Sequence, residues 1–494
     1  MSSNKSVGAG GAGGGGIATI YVHAGAGFHS VQNEHLHLQA CEKAARSGMA
    51  ILRNGGSAVE AVEMAIMYLE DTEITNAGYG SNLTIDGEVE CDATIVNHLG
   101  RSGAVGAVSQ VKNPIMVARS ILNTSGKPLT LARVPPNFLI GRGARDFAYD
   151  QGLVVLPPDA LVAPSAKERW RRWQQELQAA EHKERTKLGN YIPYQTCYRR
   201  PIPVNPAQLA NASSPRLPAL PAPSAVVPGY SEPADPRLTC TTASLSPVEP
   251  TRTLSDASAL RDGRYMDGGP CASAVDLSGP SSETSEATVN QPAEVMDYVS
   301  DTVGAIAVDS WGNIAAGSSS GGIGMKHSGR IGPAALVGVG TSIIPADPND
   351  PEKTSVAAVT SGTGEHIATT MAAHTCAMRI YYSQKKHNDG TFEDVTEEEA
   401  MSSMIASDFM GHPGVRGSKC QAAIGIVAVK KTTHGVYLYF GHNTDSFVRP
   451  VQQVIASMSS EDKQPVCVMS RNNGNGSIAQ GGRATRSKPM SQAK

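Results

Sequence analysis

The chain has 494 residues, a net charge of −3 and 18% charged residues. Length alone leaves room for three ordinary domains, and the charge balance carries no polyelectrolyte signal for nucleic acid or a membrane surface. Aromatic residues are only 5%, so a core has to be built from Val, Ile, Leu, Ala and Met between closely approaching backbones. No apolar run reaches the roughly 20 residues that a membrane-crossing helix needs.

Residues 1–16 read as a flexible Gly-rich leader. It has no apolar segment of the secretory kind, and Ser2 breaks the N-myristoylation pattern. The eight cysteines are scattered with no C-x-x-C pair, which reads as free thiols in a cytosolic or nuclear protein.

Residues 17–156 read as folded α/β. A short buried strand over 17–22 runs into a loop, His23-Ala-Gly-Ala-Gly27. A helix follows over 34–53, stopped by Asn54-Gly55-Gly56. Ser57 and Glu60 make a capping box for the next helix, in which Val59, Val62, Ile66 and Leu69 share one face. A Gly-rich turn, Asn76-Ala-Gly-Tyr-Gly-Ser-Asn82, precedes a strand pair over 88–96 and 104–108.

Residues 157–301 change character. Residues 167–187 form a charged helix with Trp170, Trp173 and Leu177 on one side. This reads as a solvated helix or a packing surface, with a nuclear-import signal as the alternative. Direct nucleic-acid binding ranks last, because Glu168, Glu176, Glu181 and Glu184 interrupt the basic residues. Beyond about 201 the chain is Pro-, Ala-, Ser- and Thr-rich without periodicity, a disordered linker.

Residues 302–449 return to short strands, at 302–309, 314–318, 422–429 and 436–440. Helical patterns lie at 366–385 and after a second capping box, Thr396 with Glu399. Residues 450–494 read as a low-complexity tail.

The junction between linker and strand, Asp301-Thr302-Val-Gly304, carries the most chemistry. If the bond between Asp301 and Thr302 breaks, Thr302 becomes an N-terminus with its hydroxyl beside its own α-amine. A threonine hydroxyl is a poor nucleophile until a base takes its proton. An α-amine of pKa roughly 7.7–8.0 is such a base, and an amide nitrogen is not. The intact chain is then a precursor.

Three later patches supply what such a nucleophile needs. Ser318-Ser-Ser-Gly-Gly322 is hydroxyl-rich, and Ser320 is suited to orient the nucleophile or its amine. In Lys326-His-Ser-Gly-Arg-Ile-Gly332, Arg330 offers a planar fork for a carboxylate, while His327 reads as a loop residue. Thr360-Ser-Gly-Thr-Gly-Glu365 is a Gly-rich turn entering a helix, whose N–H groups can form an oxyanion hole. It matches no P-loop.

In this order and spacing, together with Glu90-Cys-Asp-Ala93, these residues resemble the type-2 asparaginase family of N-terminal threonine hydrolases. Within that family the similarity is greatest to its threonine-aspartase (taspase) branch. The resemblance covers roughly 17–156 and 300–445. It implies a four-layer αββα fold and autoproteolysis between Asp301 and Thr302, giving an αβ heterodimer or an αββα heterotetramer. It also implies Thr302 as nucleophile with Ser320 as a second hydroxyl. Ser361 and Gly362 form the oxyanion pair, Arg330 grips the substrate carboxylate, and Asn76 and Gly364 line the site. No metal or organic cofactor is required.

One position separates the branches. Small-molecule asparaginases carry an aspartate three residues after this arginine, which binds a free α-ammonium. Here that position is Pro333, which suits an aspartyl residue inside a polypeptide. The implied substrates are nuclear regulators, trithorax-type methyltransferases and the transcription factor IIA precursor, met in cytoplasm and nucleus. The rival readings are an asparaginase or isoaspartyl peptidase, and an inactive binding scaffold.

Overall fold

Two β-sheets lie face to face, and helices cover the outer side of each. The computed structural model describes residues 16–27, 33–188, 302–443, 452–472 and 477–486. All of these fall in one unit, which joins the chain up to Ile192 with the chain from Ala293 onward. The junction residue Asp301, the leader before Gly16 and the linker after Leu188 lie outside the described residues.

In chain order the strands are β1 (Thr19–Gly27), β2 (Cys91–Val96), β3 (Ser102–Val108), β4 (Phe138–Ile140), β5 (Val303–Val308), β6 (Ile314–Ser320), β7 (Thr341–Ile344) and β8 (Ser355–Gly362). They continue with β9 (Gln384–Lys386), β10 (Phe392–Asp394), β11 (Ile424–Lys431), β12 (Gly435–Asn443), β13 (Gln452–Ser459), β14 (Val466–Arg471) and β15 (Ile478–Arg486). The first sheet has eight strands in the order β14-β13-β1-β5-β6-β2-β3-β4, and the second has five, β15-β12-β11-β8-β7. β9 and β10 form a separate hairpin.

Three apolar clusters mark the three interfaces of a four-layer αββα sandwich. Between the sheets, Tyr21, Ile306, Val308 and Ala316 meet Ala357, Val359, Val427 and Leu438. Outside the first sheet, helices α1 (Glu34–Arg53), α2 (Ala58–Glu70) and α3 (Pro114–Thr124) pack on Ile20, Val22, Ala93, Val303 and Ala305. Outside the second, the helices Gly364–Thr370, Ala372–Tyr382 and Glu397–Ser403 pack on Val356, Ala358 and Ile426. A strand covered on both faces loses its alternation, which is why β5 reads Val-Gly-Ala-Ile-Ala-Val and is buried throughout.

Small residues set the layer spacing. A methyl group at Gly48 would stand 2.8 Å from Ala61 O and 2.1 Å from Ile20 Cδ1, so glycine there lets α1 approach α2 and β1 closely. Ser57 caps α2 as expected. Glu60 N donates to Ser57 Oγ at 3.3 Å, and Ser57 N donates to Glu60 Oε2 at 2.7 Å.

Several expectations change. His23-Ala-Gly-Ala-Gly27 is no loop but the end of β1, held on one side by β5 and on the other by β13. The second capping box is half made. Thr396 Oγ1 accepts from Glu399 N, but the Glu399 carboxylate pairs with Lys385 at 2.7 Å. The helical pattern at 366–385 breaks at Met371, whose left-handed backbone (φ 49°) splits it in two. Helices at Pro114–Thr124 and Gly141–Asp150 were not anticipated.

The largest correction concerns 450–494. β13 and β14 complete the eight-stranded sheet and β15 pairs with β12, so the second folded region runs past 449 to Arg486. β14 and β15 are sheet edges; β14 exposes Val466, Val468 and Arg471, and β15 exposes Gln480, Gly482, Ala484 and Arg486. That pattern is hidden by low-complexity composition.

Candidate active site

The first strand of the second folded region places Thr302, the residue read from the sequence as the nucleophile. Thr302 immediately precedes β5 and is 6% exposed. Its carbonyl accepts a hydrogen bond from Gly25 N at 3.3 Å, and its main-chain N–H donates to Ser361 Oγ at 3.1 Å. The second contact crosses from one sheet to the other. It joins the end of β8 to the start of β5 at the same pole of the sandwich.

Ser320 ends β6. The β5–β6 register pairs Val303 with Ser319, and one step further sets Ser320 beside Thr302. Ser320 Oγ accepts from Gly322 N at 3.0 Å, folding the chain back after the strand. Gly322 has φ +73°, a left-handed turn that disfavours a side chain.

Asn76 supports this turn. Its Nδ2 donates to Gly322 O at 2.8 Å, and its Oδ1 accepts from Asn82 N at 2.9 Å. Its main-chain carbonyl accepts from Gly321 N at 2.8 Å. These bonds commit both ends of the side-chain amide to shaping the wall of the site.

Ser361 and Gly362 close β8. Within the β8–β11 ladder Ser361 is opposite Gly425 and Gly362 opposite Ile424. What Ser361 presents to the nucleophile is its hydroxyl, on the Thr302 nitrogen. Gly362 adopts φ +137°, and a Cβ there would stand 2.2 Å from Ala423 O. Only glycine fits.

The cationic end lies on the loop after β6. Three glycines make space for the Arg330 guanidinium. Methyl groups at Gly322, Gly332 and Gly364 would lie 3.0, 2.9 and 2.6 Å from its Nη1, Nη1 and Nη2 atoms. Arg330 Nε and Nη2 both donate to Glu365 Oε1, at 3.0 and 2.8 Å. Burial disfavours the Glu365 carboxylate, but the hydrogen bonds and charge of Arg330 outweigh it and hold its pKa below the usual value. Pro333 opens a short turn, and its Cδ would lie 2.8 Å from a Cβ on Gly364.

Beneath this loop lie groups that the sequence reading passed over. Asp92 is fully buried and accepts from Ala107 N at 2.8 Å and Gly332 N at 2.7 Å. Burial raises its pKa, against Lys326 and those two N–H groups. Lys326 is 2% exposed and donates to Glu90 O at 2.8 Å. Glu70, at the end of α2, accepts from Ser319 Oγ at 2.7 Å and Ile115 N at 3.0 Å. Burial pushes its carboxyl up to about 8 despite those bonds. A buried carboxyl bonded to the strand that carries Ser320 is invisible to motif reading, because in sequence Glu70 simply ends an amphipathic helix.

His23 lies opposite Gly304, two residues along from the nucleophile. Its ring occupies the space of the missing side chain, with Nε2 2.4 Å from where a Cβ would stand. Both ring nitrogens are buried without a hydrogen-bond partner among the described residues, and burial lowers the pKa to about 4.

Helix α5 (Pro164–Leu188) is the charged segment. Trp170 Nε1 donates to Thr84 O at 3.0 Å, and Arg169 Nη2 donates to Gly80 O at 3.2 Å. One face therefore packs against the Gly-rich turn, as the packing-surface reading expects. Among the described residues no group of three or more His, Cys, Asp or Glu is placed to hold a metal ion. No described helix is long and apolar enough to cross a membrane.

The structure thus brings Thr302, Ser320, Ser361, Gly362, Asn76, Arg330 and Gly364 together at one pole. A hydroxyl nucleophile, two further hydroxyls and a cation suited to a carboxylate can support acyl transfer at an aspartyl group.

Comparison with known proteins agrees. The asparaginase family model Asparaginase_2 matches residues 17–199 and 273–438. The isoaspartyl peptidase/L-asparaginase of Rattus norvegicus is 40% identical over 150 residues, 30% of this chain and 42% of the relative. That of Danio rerio is 38% identical over 159 residues, 32% and 48% of the two chains. These matches span about half the length of the vertebrate relatives. The isoaspartyl peptidase of Salmonella typhimurium is 25% identical over 439 residues, 87% of this chain and 96% of the relative. The chain belongs to the type-2 asparaginase family of N-terminal nucleophile hydrolases, whose members cut their own chain and hydrolyse amide bonds.

Proposed function

We propose that this protein is a threonine endopeptidase that cuts itself between Asp301 and Thr302 and then cleaves other polypeptides after aspartate. The observation that carries the reading is the Ser361 hydroxyl on the Thr302 nitrogen, 3.1 Å away in a buried site. That nitrogen is the atom that scission converts from amide to amine.

In self-processing, Thr302 Oγ attacks the Asp301 carbonyl carbon. The C–N bond breaks, the nitrogen takes the hydroxyl proton, and an ester joins the two segments. Water hydrolyses the ester, leaving a carboxylate on Asp301 and a free α-amine on Thr302. In trans, that amine takes the Thr302 hydroxyl proton as Oγ attacks the carbonyl of a substrate aspartate. Arg330 holds the aspartate side chain, and the Gly-rich turn at Ser361 and Gly362 faces the developing oxyanion. The chemistry needs no cofactor.

Pro333 supports an endopeptidase over a small-molecule hydrolase. It offers no charge to a free α-ammonium, and it is packed against Gly364. Nuclear regulators of the trithorax and transcription factor IIA type are the proposed substrates. An αβ heterodimer or αββα heterotetramer is the proposed assembly, working in cytoplasm and nucleus.

A second reading, hydrolysis of isoaspartyl peptides or asparagine, draws on the printed names of the relatives and on Glu365. That carboxylate follows the glycine on which Pro333 packs, and it could take over the ammonium contact. Purified wild type and Thr302→Ala on a denaturing gel test self-processing. Two fragments against one band are expected, and folded wild type that stays whole contradicts it. An internal-Asp peptide turned over more slowly than free asparagine moves the assignment to the second reading.

A further inference from the structure

We infer that Glu365 tunes selectivity, sharing the Arg330 guanidinium so that the site prefers an aspartyl carboxylate over the matching amide less strongly than an unpaired arginine would. The inference rests on the proposed role of Arg330 and adds to it the acid-versus-amide preference of the site.

The geometry is specific. A guanidinium offers a carboxylate two edges, Nε with Nη2 and Nη1 with Nη2. Here Nε and Nη2 both donate to Glu365 Oε1, so the first edge is occupied. Nη1 lies against Gly322 and Gly332, on the side where Asp92 Oδ2 also approaches Gly332. A substrate carboxylate on the first edge must displace Glu365. On the second edge it shares one guanidinium with it. Either way it meets a second negative charge at ion-pair distance.

An amide side chain meets no such opposition. Its carbonyl accepts from the guanidinium, and its NH₂ group donates to a nearby carboxylate oxygen. The exposures fit a selectivity element and not a buried structural pair. The Arg330 side chain is 14% exposed and that of Glu365 is 63% exposed, so the carboxylate can swing into solvent with little desolvation. Pro333 sharpens the point, because the position that carries an anion in small-molecule asparaginases carries none here. Glu365 is the acid beside Arg330 that an incoming side chain meets at the surface.

The test is calorimetric binding of N-acetyl-aspartate and N-acetyl-asparagine to full-length wild type, Glu365→Gln and Arg330→Gln, with ligand masses checked after each titration. In wild type the acid should bind more tightly than the amide, by a modest ratio. Glu365→Gln should raise the acid-to-amide ratio about two- to fivefold, the range of a partly exposed ion pair, and 0.5 M salt should shrink the gain. Glu365→Ala guards against the glutamine side chain making a new hydrogen bond, and should shift the ratio in the same direction. A ratio that is unchanged or falls in both variants overturns the inference. Failure of the underlying reading looks different. Arg330→Gln would leave acid binding untouched, or the mass of the preparation would show no scission at Thr302.

Discussion

The two ends of the site are built from opposite materials. At one end, Thr302, Ser320 and Ser361 are neutral hydroxyls, each nearly inaccessible, arranged where strands of the two sheets end. At the other end are ionisable groups: Arg330 and Lys326 on the loop after β6, Asp92 on β2 and Glu365 at the start of the helix Gly364–Thr370. The nucleophile end is placed by sheet register, which fixes side-chain direction in steps of two residues. The cationic end is placed by absent side chains, the glycines at 322, 332 and 364.

That contrast predicts that substitutions separate into kcat and KM effects. The largest is Arg330→Gln, which removes a charge-assisted contact to the substrate side chain. It should lower kcat/KM on an aspartyl peptide about a hundredfold, mostly through KM. A loss confined to kcat would place Arg330 in the chemical step and break the comparison.

Ser361→Ala acts on the other end. It leaves a buried N–H at Thr302 without its partner, worth about tenfold in rate. Self-cleavage should slow, and kcat in trans should fall with KM little changed. A KM effect as large as the kcat effect would mean that Ser361 contacts substrate and not the nucleophile.

The smallest effect concerns the support behind β6. Glu70 has a folded pKa near 8 against an ordinary 4.5, so the folded chain keeps a proton that the unfolded chain releases. Stability is then greatest below about 4.5 for this group, and falls as pH rises through 8. His23 and His442, lowered to about 4, work in the opposite sense between 4 and 6.5. Above about pH 7 those histidines are largely neutral in both states, which leaves Glu70 exposed to measurement. Urea midpoints of wild type should decline from pH 7 to 8, and Glu70→Gln should flatten the decline. Parallel curves would mean that Glu70 titrates normally.

Much of this arrangement is legible in the sequence where local chemistry is self-sufficient. The capping box at Ser57, the strand opening at Thr302 and the paired strands after Ile424 follow from short-range pattern. The cradle around Arg330 is half legible. Its glycines stand out, but nothing local shows that Gly364 makes room for a side chain 34 residues earlier in the sequence. Glu365, Asp92 and His23 stand inside quoted motifs without a role, and Glu70 only as a helix end, because their meaning comes from contacts between elements far apart in the chain. β14 and β15 were missed for a related reason. β14 exposes two valines and an arginine, and β15 mixes Gln, Gly, Ala and Arg on its open positions, so neither edge strand sets an apolar face against a polar one in sequence.

The central claim is that one threonine, freed at its nitrogen, supplies both the attacking oxygen and the base. N-terminal sequencing and intact mass of a wild-type preparation with measured peptidase activity test it most directly. The account predicts a polypeptide that starts Thr302-Val-Gly, in proportion to activity across partly processed samples. An active preparation in which no polypeptide starts there contradicts it.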